Sequence, residues 1–157
     1  MGPESRNHQK LDFLNRKAEW TNDAILYQTD DKHVQLIISD LGLEKASAVS
    51  TPMTSADLRD LAKVLDEEGQ IDESERMNEV DASSYRSIVA RMNYLALDRS
   101  DLQQGCRHVC SFMSRPLEGC WQLAKRVGRY LVGKPRVIQR FVFTSARDKL
   151  VGYSDSD

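Results

Sequence analysis

The sequence predicts an α+β chain: a small N-terminal β-hairpin and helix, an acidic linker, three helices in series, and a C-terminal β-hairpin. Three observations predict it. Strand-like runs lie toward the two ends, whereas apolar residues in the second half recur at the i, i+3, i+4, i+7 spacing of a helix face. Between Asp57 and Asp81 stand ten acidic residues against three basic ones, and few large apolar side chains. From Tyr85 to Lys149 the balance reverses, with thirteen basic residues against four acidic. The net charge of −2 thus averages two opposed regions, an acidic linker and a basic surface. The chain of 157 residues has room for one ordinary domain, and 40% hydrophobic with 29% charged residues is a globular composition.

Phe13 to Trp20 and Ile25 to Tyr27 read as two short strands around the polar turn Thr21-Asn22-Asp23. Asp30-Asp31 opens a helix with Val34, Ile37, Ile38 and Leu41 on one face; Gly42 stops it, and Leu43 can fold back on its last turn. Val49-Ser50-Thr51-Pro52 is an extended exit, because the residue before a proline is pushed out of the helical region. The acidic linker follows, with a short helix expected around Leu58 to Leu65. It carries too little apolar surface to offset its ordering entropy. Ser83 or Ser84 can cap the next helix, in which Tyr85, Ile88, Val89, Met92, Leu95 and Ala96 share a face. Ser100 caps another, with Leu102, Cys106, Val109, Cys110 and Met113 in register. Pro116 suits the first turn of the last helix, whose stripe is Trp121, Ala124, Gly128 and Leu131, and Gly133 with Pro135 ends it. Val137 to Phe143 and Leu150 to Tyr153 are strands joined by Thr144 to Lys149. The strand regions at the two ends are expected to lack sheet partners, and the best order is expected from Ser83 to Gly133.

Several function classes fall away. No apolar run reaches the roughly 18 to 20 residues of a membrane span. The polar start, Met1 to Lys10, suits neither a signal nor a transit peptide, and Arg6 stands where a myristoylation signal wants Ser or Thr. An intracellular setting, cytoplasmic or nuclear, is the expectation. Cys106, Cys110 and Cys120 read as buried free thiols, since His108 would face away from the first two and no second pair completes a metal site. His8, His33 and His108 have no evident nucleophile or metal partner. Tyr27-Gln28-Thr29-Asp30-Asp31 has one residue too many for a polymerase Tyr-x-Asp-Asp motif. A Gly-rich phosphate loop and a nucleophile elbow are both missing.

Two features could carry function. Gln122, Lys125, Arg126 and Arg129 form a second stripe on the last long helix, away from Trp121 and Ala124, and Lys134, Arg136 and Arg140 extend the positive charge beyond it. Such an array can hold the phosphates of a nucleic-acid backbone, although an ordinary solvated helix face has the same pattern. The sequence also ends on Tyr153-Ser154-Asp155-Ser156-Asp157, a strand delivering carboxylates at its end. Two-metal nucleases place their first ligand this way, and a frayed acidic tail looks the same.

Val49-Ser50-Thr51-Pro52-Met53 and the run from Tyr85 to Ala96 resemble the region after the polymerase palm in copia-type retrotransposon Pol polyproteins. Asp98-Arg99-Ser100-Asp101-Leu102 is similar to that family's Arg-Pro-Asp-Ile, with Ser100 in place of proline. Phe112 to Pro116, Trp121, and Lys125 to Gly133 continue the likeness in the family's order. Phe13-Leu14-Asn15-Arg16 resembles the strand closing the palm, and Tyr153 to Asp157 the opening of the ribonuclease H domain. The likeness spans nearly the whole chain except the acidic linker.

The resemblance implies four segments. Residues 1–53 are the end of the reverse transcriptase palm and a thumb-like helix; 54–82 are a flexible linker; 83–135 are a helical connection; 136–157 start a truncated ribonuclease H-like domain. It implies a fragment of an RNA-directed DNA polymerase with ribonuclease H, carrying neither complete active site. Asp155 matches the first ribonuclease H carboxylate, the catalytic and metal-binding position, but one carboxylate cannot hold two metals. The parent family uses Mg²⁺; this segment is expected to hold no cofactor of its own. The expected partners are the rest of the Pol polyprotein and an RNA–DNA or DNA duplex, gripped through Lys125, Arg126, Arg129, Lys134 and Arg136. The alternative is a helical protein-interaction module, or a remnant that binds no nucleic acid.

Overall fold

A computed structural model of the protein describes residues 9–29, 31–62 and 76–143, apart from the side chains of 60–62. Among the described residues, four strands and five helices fall into two compact units. One is a sheet formed within residues 10–28 and 138–142; the other, Thr29–Val137, holds the described helices. The class is α+β, as the sequence predicts.

The sheet is antiparallel, in the order β1 (Lys10–Phe13), β2 (Arg16–Trp20), β3 (Ala24–Gln28), β4 (Ile138–Val142). The run read as one strand from Phe13 to Trp20 is in fact entered through a hairpin. Phe13 pairs with Arg16, and the two residues between them, Leu14 and Asn15, have φ of +49° and +60°. That is the conformation a tight two-residue hairpin turn needs to match strand twist. An apolar Leu14 at the turn hides it from pattern reading. The second turn is as expected: the Thr21 hydroxyl accepts from the Ala24 N–H at 3.0 Å, and the Thr21 N–H bonds the Ala24 carbonyl at 2.8 Å. The terminal strands are not left without partners. β4 pairs with β3, Ile138 opposite Gln28 and Val142 opposite Ala24, and Arg140 bonds the carboxylate of Asp23. Local periodicity carries no information about a pairing so distant in sequence. The strand expected at Leu150 to Tyr153 lies outside the described residues.

In the helical unit, α1 (Asp31–Asp40) buries Val34, Ile37 and Ile38. Gly42, at φ +64°, ends it as the sequence predicts: the Gly42 N–H returns to the Ser39 carbonyl and the Leu43 N–H to that of Ile38, both at 2.9 Å. These two bonds satisfy carbonyls the helix leaves open and fold the buried Leu43 back against the core. A short α2 (Ser55–Ala62) starts three residues ahead of the helix expected in the linker, capped by Thr54.

Caps move the remaining helix starts. α3 (Glu79–Ala96) begins ahead of Ser83 because Asn78 caps it, its side chain accepting from the Asp81 N–H at 3.0 Å. Ser84 instead bonds the Val80 carbonyl inside the helix. α4 (Gln103–Ser111) has Leu102 at its cap position, and Ser100 contributes its backbone carbonyl, to the Gln103 N–H. α5 (Cys120–Gly133) starts four residues after Pro116, which is buried in the approach to the helix and accepts from the Met77 N–H.

Tyr85, Ile88, Val89, Met92, Leu95 and Ala96 of α3 are all buried, facing Leu102, Cys106 and Val109 around α4. α5 buries a wider face than its predicted stripe, adding Leu123, Val127 and Tyr130 to Ala124, Gly128 and Leu131. Each such large side chain contributes about 1.5–3 kcal/mol by leaving water. Trp121 sits at the margin, edge-on to the Tyr85 ring at 5.6 Å. Gly128 lets the end of α1 seat against α5, since a Cβ there would lie 2.5 Å from Leu43 Cδ1 and 2.7 Å from Leu41 Cδ1. No helix among the described residues is long and apolar enough to cross a membrane.

Candidate nucleic-acid interface

The wide buried face of α5 confines its polar residues to one edge, where Lys125, Arg126 and Arg129 are each half-buried and Gln122 is exposed. The structure therefore brings the first three predicted contact residues onto one side of one helix. Lys134 and Arg136 follow past its end and are exposed. Asp155 lies outside the described residues.

The three edge cations have different surroundings. Lys125 borders an open cleft of about 390 Å³ with Asp40, Glu118, Trp121 and Gln122. Arg126 faces the segment that runs from the end of α1 into α2. Its Nη2 donates to Thr51 Oγ1 at 3.2 Å, and its Nε lies 3.1 Å from Asp57 Oδ2, an ion pair whose N–H is not aligned for a hydrogen bond. Asp57 is itself fixed at the start of α2. Its carboxylate accepts from the N–H and hydroxyl of Thr54, while the Thr54 hydroxyl accepts from the Asp57 N–H at 3.3 Å. This is the reciprocal capping box. Arg129 donates from Nε to the Ser47 carbonyl at 2.8 Å, and its own carbonyl accepts from the Val49 N–H at 3.4 Å. Ala48 packs so close that a Cβ on Gly133 would lie 2.8 Å from its own. Lys134 holds its ammonium 5.2 Å from the Tyr130 ring centroid.

A polar cluster that the sequence does not announce lies beside this edge. Arg99 is 0% exposed, the largest fully buried side chain among the described residues. It grips Asp101 with two bonds, Nε to Oδ1 at 2.9 Å and Nη2 to Oδ2 at 2.7 Å, and also reaches the Lys134 carbonyl at 3.2 Å. The Tyr130 hydroxyl donates to Asp101 Oδ2 at 2.9 Å. Burial would raise the Asp101 carboxyl, but the Arg99 and Tyr130 hydrogen bonds, with the charge of Arg99, outweigh it and hold it below the usual range. Asp98-Arg99-Ser100-Asp101 has the composition of a solvated turn, so its spacing carries no signal of an interior ion pair.

The three thiols are free, as the sequence predicts, but only Cys106 and Cys120 are buried and Cys110 is half-buried; burial pushes Cys106 up to about 12, which keeps it a protonated thiol near neutrality. Cys110 and Cys120 move the same way, by desolvation first. The Tyr85 hydroxyl donates to the Val109 carbonyl at 2.7 Å. Among the described residues no three His, Cys, Asp or Glu side chains gather as a metal site would need.

Comparison with known proteins supplies what geometry alone does not. Over 79 residues, 49% of its length, the chain is 35% identical to the retrovirus-related Pol polyprotein from transposon RE2 of Arabidopsis thaliana. The polyprotein from transposon RE1 of the same plant matches to the same extent. Over about half its length the chain is thus similar to transposon Pol polyproteins. It spans 5% of the length of each of these two. It is also 28% identical, over 72% of its length, to an uncharacterized mitochondrial protein of Arabidopsis thaliana, of which it covers 42%. No protein-family profile and no solved structure matches it.

Proposed function

We propose that this chain is a segment of a copia-type retrotransposon Pol polyprotein, between the reverse transcriptase palm and ribonuclease H, that grips template–primer nucleic acid and carries out no chemistry by itself. The observation that carries the reading is the cationic edge of α5 in a relative of Pol polyproteins. Lys125, Arg126 and Arg129 share one side, and Lys134 and Arg136 prolong it. A duplex offers phosphates at regular spacing, and neutralising them releases counterions whatever the base sequence. On this reading α1 is thumb-like, the helices from α3 to α5 are the connection, and ribonuclease H opens at Arg136, an assignment resting on the motif Tyr153 to Asp157. Asp155 would be the first metal-binding carboxylate of that domain and would need further ligands to hold Mg²⁺.

The test is binding of the purified chain to a labelled RNA–DNA hybrid at two salt concentrations. The expected result is affinity that falls steeply with salt. Lys125→Ala and Lys134→Ala should each weaken binding and reduce the logarithmic salt slope by about 1, one phosphate fewer being neutralised. A folded chain with no affinity at low salt would sink the nucleic-acid role and leave a protein-interaction or relic function.

A further inference from the structure

The residues that face Arg126 and Arg129 come from the chain's own segment Ala46 to Asp57. This strap runs across α5 without regular secondary structure as far as Thr54, enters α2 at Ser55, and meets the edge at successive points. The Ser47 carbonyl takes Arg129; Thr51 and Asp57 take Arg126; and the Val49 N–H bonds the Arg129 carbonyl. Its final contact is a carboxylate on a guanidinium, the same chemistry a phosphate would offer. Asp57 is held ready for that role, because the capping box with Thr54 fixes its oxygens at the head of α2. The contact is not deeply buried: the side chains of Arg126 and Asp57 are 24% and 23% exposed.

We propose that the strap is a built-in competitor for the cationic edge, with Asp57 standing in for a backbone phosphate on Arg126 and the Ser47 carbonyl capping Arg129. This rests on the nucleic-acid reading of α5. With the strap seated, a duplex meets Lys125 and Lys134 first; both edge guanidiniums become available only when the strap lifts. A partly exposed ion pair is weak, so several phosphates presented together can displace it, whereas a single phosphate cannot. The edge is thereby selective for long polyanions over free phosphate or a mononucleotide.

The experiment compares the full chain with Asp57→Asn for binding to an RNA–DNA hybrid. Asn keeps an oxygen for the Thr54 N–H and removes only the charge competing for Arg126. The expected result is affinity raised about 3- to 10-fold, with the logarithmic salt slope steeper by about 0.9, the increment of one further neutralised phosphate. Arg126→Ala in the Asp57→Asn background should abolish that gain. Amide exchange at Val49 gives a second readout, and it should speed up when saturating hybrid binds the unaltered chain. Salt-sensitive binding that Asp57→Asn leaves unchanged, with Val49 still protected in the complex, would overturn the strap proposal while the nucleic-acid reading stands. No binding by either protein, both shown folded by circular dichroism, would overturn both.

Discussion

At the scale of single residues, the boldest feature is Arg99, a guanidinium with no exposure whose charge is met by Asp101. Removing the half-buried Asp101 leaves the fully buried charge of Arg99 uncompensated, so Asp101→Ala should destabilise the chain by about 3 kcal/mol in urea denaturation at neutral pH. The gap should also depend on pH. Asp101 titrates below its unfolded value, so its stabilisation is complete above about pH 4 and is lost as pH falls through the lowered folded pKa. Wild type and Asp101→Ala should therefore converge under acid; a constant gap from pH 7 to pH 3 would refute the role of the charge. None of this is legible in the sequence, because a charged loop residue reads as solvated and only the third dimension brings Tyr130 and the Lys134 carbonyl to it. Leu14 is the opposite case, an apolar residue 62% exposed at positive φ. Leu14→Gly should relieve about 1 kcal/mol of backbone strain at little cost in packing, seen as slower amide exchange in β1.

At the scale of elements, stripes are more legible than starts. The spacing from Tyr85 to Ala96 names the buried face of α3 correctly, because helical periodicity and burial are the same fact viewed along one axis. The cap is harder to place because Ser83, Ser84 and Asn78 are all competent cap residues, and the choice depends on where Met77 is tied to the Pro116 carbonyl. Asn78→Ala should accordingly cost about 1 kcal/mol, and Ser83→Ala almost nothing, in thermal or urea melts. Equal effects would restore the later start. α5 shows the limit of a narrow stripe: the spacing predicts four positions, and the true face is wide enough to force its cations to one edge. The strap against that edge is legible only as an extended exit before Pro52, with no hint of its docking site. Gly133→Ala should loosen the strap, since the new methyl would meet the Cβ of Ala48, which has no rotamer to move away. Faster exchange at Val49, with α3 unchanged, is the expected result.

At the scale of the whole molecule, opposed charge in the two halves foreshadows an interaction between acidic and basic segments. One such interaction is explicit, Asp57 on Arg126. Hydrogen exchange should find the deepest protection in the helical unit, around Val89, Met92 and Val127, which are fully buried, and weaker protection in β1, whose four residues are all exposed. The reverse order would contradict a stable nucleus made of packed helices. The α+β class follows from local patterns; the pairing of β4 with β3 does not, because no local rule couples Asp23 to Arg140, 117 positions apart.

That distant pairing also sets an order of assembly during synthesis. β1, β2 and β3 leave the ribosome first and can zip into a meander at once, since only tight turns separate them. β3 must then wait, its outer edge bare, while the helices of the other unit are translated. A polypeptide stalled or cleaved before Ile138 would leave the edge of β3 without its β4 partner, the kind of surface that recruits other chains into aggregates. β4 thus covers the edge of β3 only once the helical unit has been made.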